Sequence, residues 1–195
     1  MSDETTKARL RRATDSRYVT QYFVGNGIDI GCGEDTLGKH RDHYTNIISV
    51  KAWDLPDGDA QYMNGVADNT FDFVHSSHCL EHLRDPHEGL SNWIRICRPG
   101  GYIVVTIPEE DLYEQGVWPS RFNTDHKTSW TIAKTDSWSP VSISLVPFLY
   151  GFIDQIQIVK IELIDHKYDY TVKSVDQTRG LAESAIEFII CKRNV

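Results

Sequence analysis

Asp29, Gly31 and Gly33 fall within one run, Gly27-Ile-Asp-Ile-Gly-Cys-Gly33, in which a short apolar stretch opens straight into glycines. Glycines at that point let a bound ligand approach the backbone closely. Dinucleotide enzymes use a similar turn, but their third glycine is missing here, where Asp35 and Thr36 stand. A carboxylate at that position would repel a pyrophosphate at a helix N-terminus. A nucleoside without phosphates, carrying a sulfonium and an ammonium group, suits the acidic surroundings better. Asp29 is expected to hold the ammonium end, directly or through water. Asp54 closes the next apolar stretch and can accept hydrogen bonds from both hydroxyls of a ribose. Asp59, in Gly58-Asp-Ala-Gln61, can accept from an adenine amino group at the edge of a third strand. The plainer alternative is that Asp57 and Asp59 only serve turns.

These groups need elements to hold them. Residues Thr5 to Phe23 read as helical, with Leu10, Tyr18, Val19, Tyr22 and Phe23 forming an apolar side. Strands are expected over Asn46 to Trp53, Phe71 to His75 and Tyr102 to Ile107. A helix is expected over Leu80 to Cys97, stopped by Arg98-Pro-Gly-Gly101. Alternating strand and helix implies a parallel α/β sheet. The tail differs: Ile156 to Leu163 and Ala185 to Cys191 are both strand-like, with no helix between them, which predicts an antiparallel hairpin at one sheet edge. The expected organisation is one domain over residues 1–195, with an N-terminal helical segment (1–24) and a lid or acceptor segment (108–140) over the carboxyl ends of the strands.

Taken in order, Gly27-Ile-Asp-Ile-Gly-Cys-Gly33, Gly58-Asp-Ala60, Phe71-Asp-Phe-Val-His-Ser-Ser-His-Cys-Leu-Glu-His82 and Arg98-Pro-Gly-Gly101 resemble the class I S-adenosylmethionine-dependent methyltransferases, particularly the small type-11-like group. The resemblance implies a Rossmann-like, mostly parallel seven-stranded sheet with a reversed C-terminal hairpin. It implies S-adenosylmethionine as cofactor and S-adenosylhomocysteine as product. The implied cofactor contacts are Asp29, Gly31, Cys32 and Gly33, then Asp54 with Leu55, then Asp59 and Ala60, and finally Ser77 and His78 beyond the strand that starts at Phe71. Two features depart from the pattern: Asp35 replaces a frequent glycine, and the stretch from Asp54 to Asp59 is too short for the usual helix.

Methyl transfer to a hydroxyl needs a group that takes the acceptor's proton. The segment from Pro108 to Lys127 is dense in ionisable and aromatic residues. His126 is the expected general base, with Asp125 or Asp111 orienting it. Asn123, Tyr113 and Arg121 could bind acceptor hydroxyls, and Trp118 and Trp130 could stack on a sugar; packing alone is the alternative for all of them. A divalent metal on Asp111, Asp125 and His126 is a further alternative. His78-Cys-Leu-Glu-His82 also has the H-x-x-E-H spacing of inverted zinc peptidases. No third ligand context follows it and the methyltransferase pattern accounts for it, so no metal is assigned. The segment is similar to those of small methyltransferases of bacterial surface-polysaccharide or phage gene clusters. That likeness implies O-methylation of a sugar, nucleotide-sugar or other small polar acceptor, within carbohydrate biosynthesis.

Composition narrows the field. The net charge is −8, which argues against a protein whose main task is gripping nucleic-acid backbone. A local basic stretch, Lys7, Arg9, Arg11, Arg12 and Arg17, reads as a solvated helix face or as a clamp for an acidic acceptor group. It is the one feature that favours a nucleic-acid or protein methyltransferase; a non-catalytic cofactor-binding module is the third reading. The four cysteines lack C-x-x-C spacing, and the start is polar, so a cytoplasmic protein without a membrane span is expected.

Overall fold

The structure, a computed structural model, describes residues 3–194; Met1, Ser2 and Val195, the ends of the expected domain, lie outside them. Its strands are β1 (Gly25–Ile30), β2 (Ile47–Trp53), β3 (Phe71–Ser77), β4 (Cys97–Pro108), β5 (Ser129–Thr131), β6 (Ser142–Ser144), β7 (Ile156–Ile164) and β8 (Ala185–Lys192). The α-helices are α1 (Glu4–Arg12), α2 (Pro86–Ile96) and α3 (Leu145–Tyr150). The main sheet runs β2-β1-β3-β4-β8-β7, with β5 and β6 forming a separate short pair. β1 pairs in parallel with β2 and β3, and β3 with β4; β8 is antiparallel to both β4 and β7. This is the Rossmann-like class I methyltransferase fold with a reversed C-terminal hairpin.

The strand count is six, not the seven expected. Residues 54–70 form turns, among them Asp54–Asp57 and Asp59–Met63, and carry no strand among the described residues. Pro56, Gly58 and Gly65, with Asp and Asn around them, favour turn chemistry over a ladder. β2 is therefore an edge, and its middle residues are largely exposed.

The N-terminal segment is not one helix. α1 ends at Arg12, the chain turns through Asp15, and a π-helical turn spans Tyr18–Tyr22. The buried face of α1 is Thr5, Ala8 and Arg12, while Leu10 points to solvent. The helix expected over 80–97 is also divided. Leu80–His82 is a short 3₁₀ turn, and α2 starts afresh at Pro86. Asp85 is the cap, accepting from His87 and Glu88 N–H at 2.9 and 3.0 Å. Proline as the first helical residue suits a start and resists a continuous helix through Leu83.

The core lies on both faces of the sheet. Ile103, Val105 and Ile107 of β4, with Phe188 and Ile190 of β8, join Trp93 and Leu149 on one face. Val104 and Ile189 join Tyr18, Tyr22, Phe23 and Phe73 on the other. That second face also contains a charge, Glu187, fully buried on β8. Arg12 Nε and Nη2 donate to it at 2.8 and 2.5 Å, Arg11 donates at 3.2 Å, and Tyr18 donates through its hydroxyl. Arg11 and Arg12 are thus bound inward; of the rest of the basic stretch, Arg17 is exposed beside Asp15, and Lys7 lines the larger of the two cavities described below. Among the described residues, no helix is long and apolar enough to cross a membrane.

Candidate active site

Two cavities meet at the carboxyl ends of β1 and β3, where open α/β sheets bind ligands. The larger, about 880 Å³, runs from the glycine loop past His78 to Tyr113, Asn123 and His126. The smaller, about 490 Å³, is bordered by Asp54, Leu55, Asp59 and Ala60. Gly31, His78 and His82 line both, so the two form one cleft. Both volumes fall in the range of about 300–1,000 Å³ usual for small-molecule sites.

The glycine loop is shaped for close approach. Gly31 has φ of +69°, and a Cβ there would lie 2.5 Å from Cys79 Cβ. Asp29 is buried: Oδ2 accepts from Leu37 N–H at 2.6 Å, and Oδ1 meets His75 Nδ1 at 2.6 Å. The other nitrogen of His75, Nε2, faces Arg12 Nη1 at 3.4 Å. Arginine only donates. Nε2 is therefore the acceptor, Nδ1 carries the proton, and His75 donates to Asp29. The loop acid is thus tied through His75 to the buried Arg12–Glu187 pair. Asp54 accepts from Gly33 N–H at 2.9 Å and from Leu55 N–H at 2.7 Å, locking the loop to the end of β2. Each carboxylate oxygen keeps a further lone pair for a ligand. Asp59 accepts from Gln61 N–H at 2.8 Å and from Arg84 at 3.1 Å. Asp35 does not face a ligand's charge alone: it accepts from both Thr6 N–H and Thr6 Oγ1 at 2.8 Å, capping α1 from outside the helix. Cys32, Ser77 and His78 line the larger cavity. His78 ends β3 with φ of +55°, a left-handed turn that β-carbon residues rarely adopt.

At the far end of the cleft the acid–base arrangement differs from the expected one. His126 is buried, and its Nδ1 lies 2.6 Å from Glu114, not from Asp111 or Asp125. Asp125 is 2.9 Å from Nδ1 of His82 instead. Asp111 accepts from Lys134 at 2.5 Å and from Trp138 at 2.9 Å and lines neither cavity, so it orients nothing in the cleft. For the same reason Asp111, Asp125 and His126 are not brought together as a metal set. Tyr113 and Asn123 do face the cleft, but Arg121 does not line it. Trp130 is fully buried in the core and cannot stack on a ligand.

Between His82 and His126 lies Glu81, fully buried, with neither carboxylate oxygen hydrogen-bonded. Burial alone would push its carboxyl up, but the facing imidazoles of His78, His82 and His126 outweigh burial and hold it low. Glu81 and Glu114 were not among the expected site residues. Glu81 lies inside the H-x-x-E-H run that the methyltransferase pattern accounts for, and Glu114 is twelve residues from its histidine. The loop between β7 and β8, where Asp176, Thr178 and Gly180 line the larger cavity, is likewise absent from the expected site.

The sequence model of a family described as a methyltransferase domain matches residues 4–139. The chain belongs to that methyltransferase family. A curated relative, an uncharacterised methyltransferase of Schizosaccharomyces pombe, is 41% identical over 92 residues, which cover 47% of this chain and 29% of the relative. The chain therefore spans under a third of that relative's length. Among solved structures, a chain of the Haloferax volcanii complex between the Trm112 methyltransferase activator and a methyltransferase aligns with TM-score 0.63 at 15% identity, covering 98% of this chain and 94% of that one. An S-adenosylmethionine-dependent methyltransferase from Archaeoglobus fulgidus aligns with TM-score 0.58 at 21% identity, over 98% and 95% of the two chains. These likenesses carry the fold, that of S-adenosylmethionine-binding methyltransferases, and the cleft described above occupies its ligand-binding end.

Proposed function

We propose that this methyltransferase-family chain moves the methyl group of S-adenosylmethionine onto a hydroxyl of a small polar acceptor, with a sugar or nucleotide-sugar as the preferred class. The observation that carries this reading is one cleft that joins a glycine loop to two carboxylate-held imidazoles, through the shared Gly31, His78 and His82. The residues suit the cofactor: the Gly31 cradle admits a ligand where a Cβ would not fit, and Asp3, Asp29, Glu34 and Asp176 give the larger cavity an acidic lining for a cation. In this reading Asp29 serves the ammonium end, Gly31, Cys32 and Gly33 the backbone contacts, Asp54 the ribose, and Leu55, Asp59 and Ala60 the adenine, with Ser77 and His78 alongside.

Bound S-adenosylmethionine supplies an already activated methyl group. The chain contributes alignment, exclusion of water and removal of the acceptor's proton. That proton leaves at the His82–His126 pair. The methyl group would pass to the acceptor oxygen as its bond to sulfur broke, the electron pair staying on the sulfur of S-adenosylhomocysteine. Glu114 supports His126 in the role first given to Asp111 and Asp125. With Arg11 and Arg12 turned in to Glu187, less of the basic stretch is left to meet a nucleic-acid backbone. Four free cysteines suit the reducing cytoplasm, where nucleotide-sugars are available.

The test is release of S-adenosylhomocysteine by the pure protein across a panel of sugars and nucleotide-sugars, beside titration calorimetry of the cofactor. Cofactor binding with turnover on a hydroxyl acceptor is expected. His126→Ala should leave cofactor affinity unchanged and slow transfer by roughly two to four orders of magnitude. Turnover confined to amine acceptors, or unaffected in the variant, would overturn the assignment.

A further inference from the structure

We infer that Glu81, His82 and His126 form a binding site for one divalent transition-metal ion, with zinc as the reference ion. Their ligand atoms all lie within 4.8 Å of one another. Nε2 of His82 and Nε2 of His126 are 3.8 and 3.9 Å from the same oxygen, Oε1 of Glu81. These separations are too long for hydrogen bonds. They suit groups flanking a cation: ligands each about 2.0–2.2 Å from zinc can stand at most about 4.2 Å apart, a limit these two separations meet.

The outer contacts argue for the same conclusion. Nδ1 of His82 is held by Asp125 at 2.9 Å and Nδ1 of His126 by Glu114 at 2.6 Å. Histidines that bind metals generally donate their other ring N–H to a carboxylate, which fixes the tautomer. With the proton on Nδ1, each Nε2 presents a lone pair to a carboxylate oxygen. Acceptor then faces acceptor, in a place from which solvent is excluded at Glu81. Both oxygens of Glu81 are buried without a hydrogen-bond partner, Nδ1 of His78 standing 3.6 Å from Oε1; such a carboxylate carries a large desolvation penalty unless positive charge is present, on these imidazoles or as a bound cation. Two imidazoles and a carboxylate form a three-ligand set typical of catalytic sites with an open position. All three residues line the larger cavity, so the open position faces the cleft.

A hydroxyl entering that position would bind a Lewis acid and lose its proton more readily; with the ion bound, it and not the imidazoles, whose lone pairs it occupies, would assist that loss. This consequence rests on the hydroxyl-acceptor reading above; metal binding itself does not.

The experiment uses the full chain, stripped with chelator, dialysed against Zn²⁺ or Co²⁺ and assayed by elemental analysis and visible absorption. One equivalent of metal per chain is expected, with Co²⁺ ligand-field bands. Glu81→Gln, His82→Gln and His126→Gln should each weaken binding about 100-fold or more. Glu114→Gln, which leaves the ligands in place, should weaken it roughly 10–100-fold. His166→Gln, an exposed histidine elsewhere, should bind like the parent. Circular dichroism and cofactor calorimetry on every variant separate site loss from misfolding. Absence of binding at 100-fold molar excess, or stoichiometric binding that all four site variants retain, would overturn the site. Metal bound as described without any S-adenosylmethionine binding would uphold the site and overturn the methyltransferase reading.

Discussion

Gly31 is the position at which one atom decides ligand access. Its φ of +69° is outside the range most side chains tolerate, and a Cβ would press into Cys79 from 2.5 Å. Any side chain there must displace the start of the segment that carries Glu81 and His82. Gly31→Arg is therefore expected to abolish cofactor binding, with calorimetric affinity falling at least about 100-fold; retained affinity would mean that the loop serves another ligand. This residue could be picked from the sequence because its signal is local, a glycine at the end of an apolar run. His126 was also picked, but its partner was not. Glu114 reaches it across a π-helical turn and a loop, and spacing along the chain favoured the adjacent Asp125. Nearness in sequence misled here because Asp125 turns outward to His82.

At the scale of elements, the buried face of α1 carries a charge where periodicity leads one to expect an apolar side. Arg12 at one helix end meets Glu187 in the middle of β8, and the pair is fully buried. Breaking one partner of a buried pair leaves the other uncompensated. Arg12→Leu should thus destabilise the chain by about 3 kcal/mol, the low end of that range, because Arg11 still faces the carboxylate. The same pair sets an acid limit. Burial would push Glu187 up, but Arg12, Arg11 and Tyr18, with Lys160 3.7 Å away, hold its carboxyl far below the ordinary 4.5. The unfolded chain then binds the proton first, so the contribution is complete above pH 4.5 and is lost as pH falls below it. Denaturant midpoints from pH 7 to pH 3 should drop steeply in the parent below 4.5 and less steeply in Glu187→Gln; parallel curves would assign the acid sensitivity elsewhere. The strands were legible because central strands read as apolar runs, as Ile103, Val104 and Val105 do. The missing third strand and the divided N-terminal helix were not, since family pattern and apolar count both outweighed the turn residues Pro56, Gly58 and Asp15.

For the molecule as a whole, the two ends of the chain close over one cleft. The family match stops at residue 139, whereas the loop between β7 and β8 returns from beyond it to line the larger cavity with Asp176, Thr178 and Gly180. Three side chains hold this loop down. Lys7 of α1 donates to the carbonyls of Thr178 and Ala182, Gln115 donates to Val175 carbonyl at 2.9 Å, and Arg11 pairs with Glu183 at 3.2 Å. The cofactor half of the cleft was readable because it is built from consecutive residues, while the roof joins positions about 170 apart that no motif connects. The roof rests on α1, and α1 is capped by Asp35 in the glycine loop. Loop, helix and roof should accordingly respond together when the cofactor binds. Lys7→Ala removes two of the helix's bonds to the roof, leaves the Arg11–Glu183 pair, and spares the buried Arg12–Glu187 pair. Losing net hydrogen bonds of about 0.5–1.5 kcal/mol each should lower cofactor affinity roughly threefold to tenfold, with little change in melting temperature. Hydrogen exchange offers the matching readout: cofactor should slow amides of residues 4–9 and 174–182 in the parent, and should slow only the former in the variant. Equal protection of both segments in Lys7→Ala would mean that the roof closes on the ligand without help from Lys7.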